Sequence, residues 1–150
     1  MEWKDLDRSR CSVARTAGVV GDGWTVLVLR DLFNGVRRFD DLACHLGVAR
    51  NVLTRRLAAL VDEGVVERVP YREPGARERH EYRLTPAGRD LRPVLLAMLA
   101  WGDAHRAGPE GPPVRVEHPG CGAAVHVELR CAEGHTVDPR APLRSVPSPS

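Results

Sequence analysis

Arg50, Asn51, Thr54 and Arg55 open a segment in which Leu53, Leu57, Leu60 and Val61 share one helical face. With the leucines turned inward, the polar residues project outward from the first turns of a helix, and Arg56 follows them. Arg, Asn and Thr carry donors and acceptors that match base edges in the major groove, which admits one α-helix. Further cations flank this segment. Arg37 and Arg38 precede it, and Arg72, Arg77, Arg79 and His80 follow it. Such residues grip phosphates and set register without reading sequence. Glu73, Glu78 and Glu81 dilute this charge, so a modest salt dependence is expected. Lys4 is the sole lysine. Arginine suits bidentate phosphate and guanine contacts, although a GC-rich genome would favour it as well.

Two other groups of residues could do chemistry. His118, Cys121, Cys131 and His135 read as H-x2-C and C-x3-H around a strand-like stretch. Four such ligands can close a tetrahedral structural zinc site, and a small ribbon with little core would gain stability from the metal. C-x3-H is not the usual knuckle spacing, so a hairpin with incidental thiols is the alternative, and no other cofactor is called for. Cys11 stands before a short helix, with Arg8, Arg10 and Arg15 nearby. Thiolate is the reactive form of cysteine, and helix N-termini favour negative charge. A small buried residue is the plainer reading of Cys11, and Cys44, beside Ala43, reads as structural. The four cysteines form no CxxC pair or dense framework, which fits thiols in a reducing cytosol. An enzyme is not expected. The chain has no Gly-rich phosphate loop, HExxH or nucleophile elbow, and His45, His80 and His105 are scattered without an obvious carboxylate partner.

The elements that must carry these residues follow from periodicity. The stretch after Cys11 can form a short helix. Asp22 is a good N-cap and Asn34-Gly35 a good stop for the apolar run between them, which reads as a buried helix although its β-branched residues would also suit a strand. Phe39, Leu42, Ala43 and Leu46 make the apolar face of a two-turn helix ended by Gly47. Short helix, Gly-containing turn and longer helix together make a helix-turn-helix. Val65 to Val69 and Glu81 to Thr85 have strand character on either side of a Pro74-Gly75 turn, which gives a hairpin, or wing. Thr85-Pro86 then caps a helix carrying Leu91, Val94, Leu95, Met98, Leu99 and Trp101, with Pro93 set to kink it or mark its true start.

The expected fold is therefore mainly α with a small antiparallel hairpin: a winged helix-turn-helix followed by a short β-rich extension. Residues 1–10 read as a flexible arm, 11–107 as the DNA-binding and dimerisation domain, 108–113 as a Gly/Pro linker, 114–138 as a Cys/His extension, and 139–150 as a disordered Pro/Ser tail. The 150 residues suffice to bury a core. No apolar run is long enough to span a bilayer and the N-terminus lacks a signal core, so the cytoplasm is the expected compartment, with no membrane partner.

Taken in order, Cys11-Ser12-Val13, Gly21-Asp22-Gly23-Trp24, Leu29-Arg30-Asp31-Leu32, Arg38-Phe39-Asp40-Asp41-Leu42, Asn51-Val52-Leu53-Thr54-Arg55-Arg56-Leu57, Leu60-Val61-Asp62-Glu63-Gly64, Tyr82-Arg83-Leu84-Thr85-Pro86-Ala87-Gly88 and Trp101-Gly102 resemble the HxlR-type transcriptional regulators over about residues 10–105. The resemblance implies a bacterial winged-helix homodimer that binds a palindromic double-stranded operator as repressor or activator. Its dimer interface would come from the first and last helices. Some members sense electrophiles or oxidants through a cysteine at the position of Cys11, which makes Cys11 a candidate redox sensor here. The rival is a winged-helix module for protein interaction without DNA contact. That module would more often expose an apolar patch where Arg50, Asn51 and Arg55 stand.

Overall fold

Residues 3–5 and 7–146 are described by the structure, a computed structural model. The element order is α1 (Ser12–Val20), α2 (Gly23–Phe33), α3 (Phe39–Leu46), α4 (Arg50–Asp62), β1 (Val66–Tyr71), β2 (Arg79–Leu84), α5 (Pro86–Arg89), α6 (Arg92–His105), β3 (Leu129–Arg130) and β4 (Thr136–Val137). Short 3-10 turns at Trp3–Asp5 and Arg8–Arg10 occupy much of the segment expected to be an arm. The rest of that segment (residues 1, 2 and 6) and the end of the Pro/Ser tail (147–150) lie outside the described residues.

Local chemistry sets most of these boundaries. The Asp22 carboxylate accepts from Thr25 N at 3.0 Å and starts α2, so the β-branched run after it is helical. Gly47, at φ 61°, closes α3 in the left-handed region that a side chain disfavours. Its N–H returns to Ala43 O at 3.0 Å, and the chain is then free to re-enter a helix at Arg50. In the wing, Ala76 N donates to Glu73 O, and Gly75 (φ 75°) follows Pro74, the arrangement of a type II turn.

The helix expected after Thr85 divides in two. The Thr85 hydroxyl accepts from Gly88 N and caps α5, which ends at Arg89. A fresh helix starts at Arg92, with Pro93 in its first turn. Proline is tolerated there because its missing N–H would have had no intrahelical partner. Gly88 is buried against Val65, the residue before β1, and a Cβ on it would stand 2.1 Å from Val65 O.

The chain forms two compact units. One runs from Leu6 to Leu95 and the other takes in Leu96 onward, so the division falls inside α6 rather than at the Gly/Pro segment. In the first unit Val28, Leu29 and Leu32 of α2, Leu42 of α3, Leu53, Leu57 and Leu60 of α4, and Val65 and Val66 form the core. β1 and β2 pair antiparallel from Val66 opposite Leu84 to Tyr71 opposite Arg79. Arg38 adds a bridge to Glu81, and Tyr82 N donates to Arg37 O at 2.8 Å. The segment before α3 is thereby stitched to the wing. Among the described residues one charge is inside the core: Asp31, 1% exposed. Its carboxylate accepts from Arg30 Nε (2.8 Å) and His45 Nδ1 (2.6 Å). His45 therefore has the carboxylate partner that the sequence did not reveal, and the pair ties the end of α2 to the end of α3.

In the second unit, Val125 N donates to Val116 O and His118 N to Ala123 O around a tight turn, and β3 pairs with β4 around a second turn. The β character expected of residues 114–138 is present as these two small hairpins.

Candidate nucleic-acid interface

The leucines of α4 fix which of its side chains face out. Leu53, Leu57 and Leu60 are buried, whereas Arg50, Asn51, Thr54, Arg55, Ala58 and Ala59 are exposed. Asn51, Thr54, Arg55 and Ala58 follow the spacing of one helical stripe. Ala58 was missed in the sequence because it carries no polar group, yet its small side chain leaves the C-terminal end of the stripe open to close approach. Asn51 and Arg55 make no side-chain hydrogen bond or ion pair among the described residues, so their donors stand available. The Thr54 hydroxyl donates to Arg50 O at 2.8 Å and keeps only its acceptor capacity.

Arg56 stands apart from this stripe. It is half-buried, and its Nε lies 3.1 Å from the Asp22 carboxylate, an ion pair to the cap of α2 rather than part of the outward stripe. Adjacent helical residues point about 100° apart, and the start of α2 occupies the direction that Arg56 takes.

The other predicted cations stand on neighbouring segments of the chain. Arg37, Arg77, Arg79 and His80 are exposed on the segment before α3 and on the wing. Two more are held by acids. Arg50 Nη1 donates to Asp40 Oδ1 at 2.7 Å, with its guanidinium 4.6 Å from the centre of the Phe39 ring. Arg38 Nη2 lies 2.7 Å from Glu73 Oε1, with its guanidinium 4.6 Å from the centre of the Tyr71 ring. Arg50 bound to it keeps the Asp40 carboxyl below the usual range, with Arg79 adding to the effect. Glu73 in turn pushes the Arg38 guanidinium further into its charged form. No sequence spacing announces these pairs, because each joins different elements.

The remaining candidates lie elsewhere. Cys11 is half-exposed at the N-cap of α1, and its side chain makes no capping bond. Cys44, expected to be structural, is exposed on α3. In the tail, His118 Nδ1 and Cys121 Sγ are 3.4 Å apart on one turn, and Cys131 and His135 bracket the other. No three His, Cys, Asp or Glu residues converge into a metal-holding group among the described residues. As placed, the four do not fit a tetrahedral zinc site, since the two donors of the first turn are joined by no third.

A short helix, a left-handed glycine turn, a helix with an exposed Asn/Thr/Arg stripe and a basic wing define a winged helix-turn-helix protein. Residues 19–109 match the model of the HxlR-like helix-turn-helix family, and the chain belongs to that family. It is 48% identical over 120 residues to an uncharacterised HTH-type transcriptional regulator of Mycobacterium tuberculosis, covering 80% of this chain and 75% of the relative. Among solved structures it is similar to the candidate transcription factor PA1607 (TM-score 0.80, 37% identity, 91% of this chain and 95% of that one). It is also similar to the redox regulator HypR in its reduced form (TM-score 0.57, 28% identity, 64% of this chain and 94% of that one). The likeness to PA1607 extends further than a winged helix alone would allow, so part of the C-terminal segment has a counterpart there. No helix among the described residues is long and apolar enough to cross a membrane.

Proposed function

We infer that this chain is a sequence-specific transcriptional regulator that binds double-stranded DNA as a homodimer on a palindromic operator in the cytoplasm, and that it has no enzymatic step. The observation that carries the reading is the unpartnered Asn51 and Arg55 on the outward stripe of α4, flanked by the cations of the wing and of the segment before α3. In helix-turn-helix proteins this helix reads bases while flanking cations hold phosphates. A duplex enriched by the wild-type protein from a randomised pool supplies the specific probe, and poly(dI-dC) the non-specific one. Asn51→Ala or Arg55→Ala should cost about 1–3 kcal/mol on the enriched duplex and far less on poly(dI-dC). Equal losses on both would mean that these residues do not read bases.

Assembly follows from α6. Val94, Met98 and Trp101 are 42%, 49% and 55% exposed at the spacing of one helical stripe. An apolar stripe of this kind fits a partner surface. A two-fold dimer would place two copies of α4 about one helical turn of DNA apart. Light scattering should give twice the chain mass, and a DNA-binding monomer would contradict this.

A thiol response is the second reading, favoured by the place of Cys11 at the start of α1, by Arg8, Arg10 and Arg15 around it, and by the likeness to HypR. Oxidation beside a dimer interface would alter the spacing of the two α4 helices and weaken operator binding. A mild oxidant or a quinone should lower wild-type affinity for the enriched duplex and leave Cys11→Ser unaffected. A response that survives in Cys11→Ser but vanishes in the Cys121→Ser/Cys131→Ser variant would move the sensor to the tail.

A further inference from the structure

We propose that Asp40 and Glu73 are specificity-determining residues: two built-in competitors of the DNA backbone that keep Arg50 and Arg38 from non-matching DNA. The proposal rests on the reading of α4 and the wing as the DNA-binding surface.

The same device occurs twice on that surface. Arg50, at the first position of α4, is held between the Phe39 ring and the Asp40 carboxylate. Arg38, just before α3, is held between the Tyr71 ring and the Glu73 carboxylate. Each aromatic ring restrains the plane of a guanidinium, and each carboxylate occupies one donor that a phosphate would use. The acids are far from buried: the Asp40 and Glu73 side chains are 67% and 54% exposed. They face the same solvent as the cations, and an approaching phosphate meets them as like charges. Arg37, Arg55, Arg72 and Arg77, by contrast, have no acidic partner among the described residues. The surface therefore holds arginines free to attract any duplex beside Arg38 and Arg50, each held by an acid and a ring; Arg83 of the wing also pairs with an acid, Glu81, its neighbour two residues away on β2.

The physical consequence is a threshold. DNA held loosely by long-range attraction gains from the free arginines alone. To engage Arg38 or Arg50, a phosphate must either displace a carboxylate from a contact of 2.7 Å or share the guanidinium with it as a like charge. Either becomes favourable only when other contacts already fix the phosphate close by, and base contacts from Asn51 and Arg55 would do so. The acids thus penalise random DNA more than the matched site. Exposed ion pairs are individually weak, so the effect of each should be a few-fold rather than orders of magnitude.

The test uses the full chain, the enriched duplex and poly(dI-dC) across a salt series. Asp40→Asn and Glu73→Gln keep size and remove charge. Each should tighten poly(dI-dC) binding by about threefold to fivefold and steepen its salt dependence by about one counterion per freed arginine. The enriched duplex should gain less, so that discrimination falls. Unchanged affinity on both probes overturns the proposal. Weakened binding on both also overturns it, because the acids would then be positioning the arginines for DNA rather than withholding them. Asp40 lies in the first turn of α3, where a negative charge also steadies the helix, so thermal melting accompanies each variant. Glu73→Gln, in the exposed wing turn, decides the matter if Asp40→Asn is unstable. Arg55→Ala separates the two levels of inference. Should it bind the enriched duplex like wild type, the reading of α4 fails whatever the acids do.

Discussion

Leu6 to Leu95 and the segment from Leu96 onward are built from similar apolar patterns, yet only the first buries any of them. Val28, Leu42, Leu53 and Leu57 are fully enclosed in the winged helix. Beyond Leu95 no described residue is buried, and Val114, Val116, Val125, Val127 and Leu129 remain 37–58% exposed. The valines of the tail line an open groove of about 650 Å³ beside Leu96 and Leu99 of α6. The difference lies in geometry rather than composition. α2, α3 and α4 each turn an apolar stripe toward one centre and the wing closes it, so every stripe is covered by others. The tail has two small hairpins and half a helix, which is too few layers to enclose anything.

Core truncation is the strongest way to break this comparison. Leu57→Ala should destabilise the chain by about 2–5 kcal/mol in urea unfolding, because a fully buried leucine leaves a cavity as well as lost transfer energy. Val127→Ala, at 43% exposure, should stay within about 0.5 kcal/mol. Comparable losses would mean that the tail is buried in the working protein.

A pair of glycine substitutions sharpens the contrast by sign. Gly88→Ala should lower stability by about 1–3 kcal/mol, because the new methyl meets Val65 O at 2.1 Å and backbone must shift. Gly102→Ala, on α6 with nothing within 4 Å, should raise stability by up to about 1 kcal/mol through helix propensity. Thermal melting reads both. If Gly102→Ala destabilises instead, a surface absent from the isolated chain packs against α6 at that point.

Most of the winged helix was legible before any coordinates. Leu42, Leu53, Leu57 and Leu60 were placed by period, α2 by the Asp22 cap, and the wing turn by Pro74-Gly75. These signals are local, and the structure keeps them. The break between α5 and α6 was only half legible. Pro93 marked a start or a kink, and the capping of α5 by Thr85 over four residues settled which. For the candidate site, spacing gave the outward direction of Asn51, Thr54 and Arg55 because the leucines opposite fix the helix rotation. It gave no direction for Arg56, which pairs with Asp22 of another element.

What the sequence by itself determined is the set of elements, the inward face of each and the cationic character of the outward one. Caps, turns and hydrophobic periods act within a few residues and need no tertiary information. Tertiary structure alone decided which charges meet. Arg38 finds Glu73, Arg50 finds Asp40, Arg56 finds Asp22, and His45 finds the buried Asp31. Packing the apolar faces sets the angle and offset between elements, and only then do particular side chains come within an ion pair's reach. A formal net charge of +2 therefore says little about the DNA-facing surface. The charge available there depends on which arginines the fold leaves free, and that was fixed by how the leucines packed.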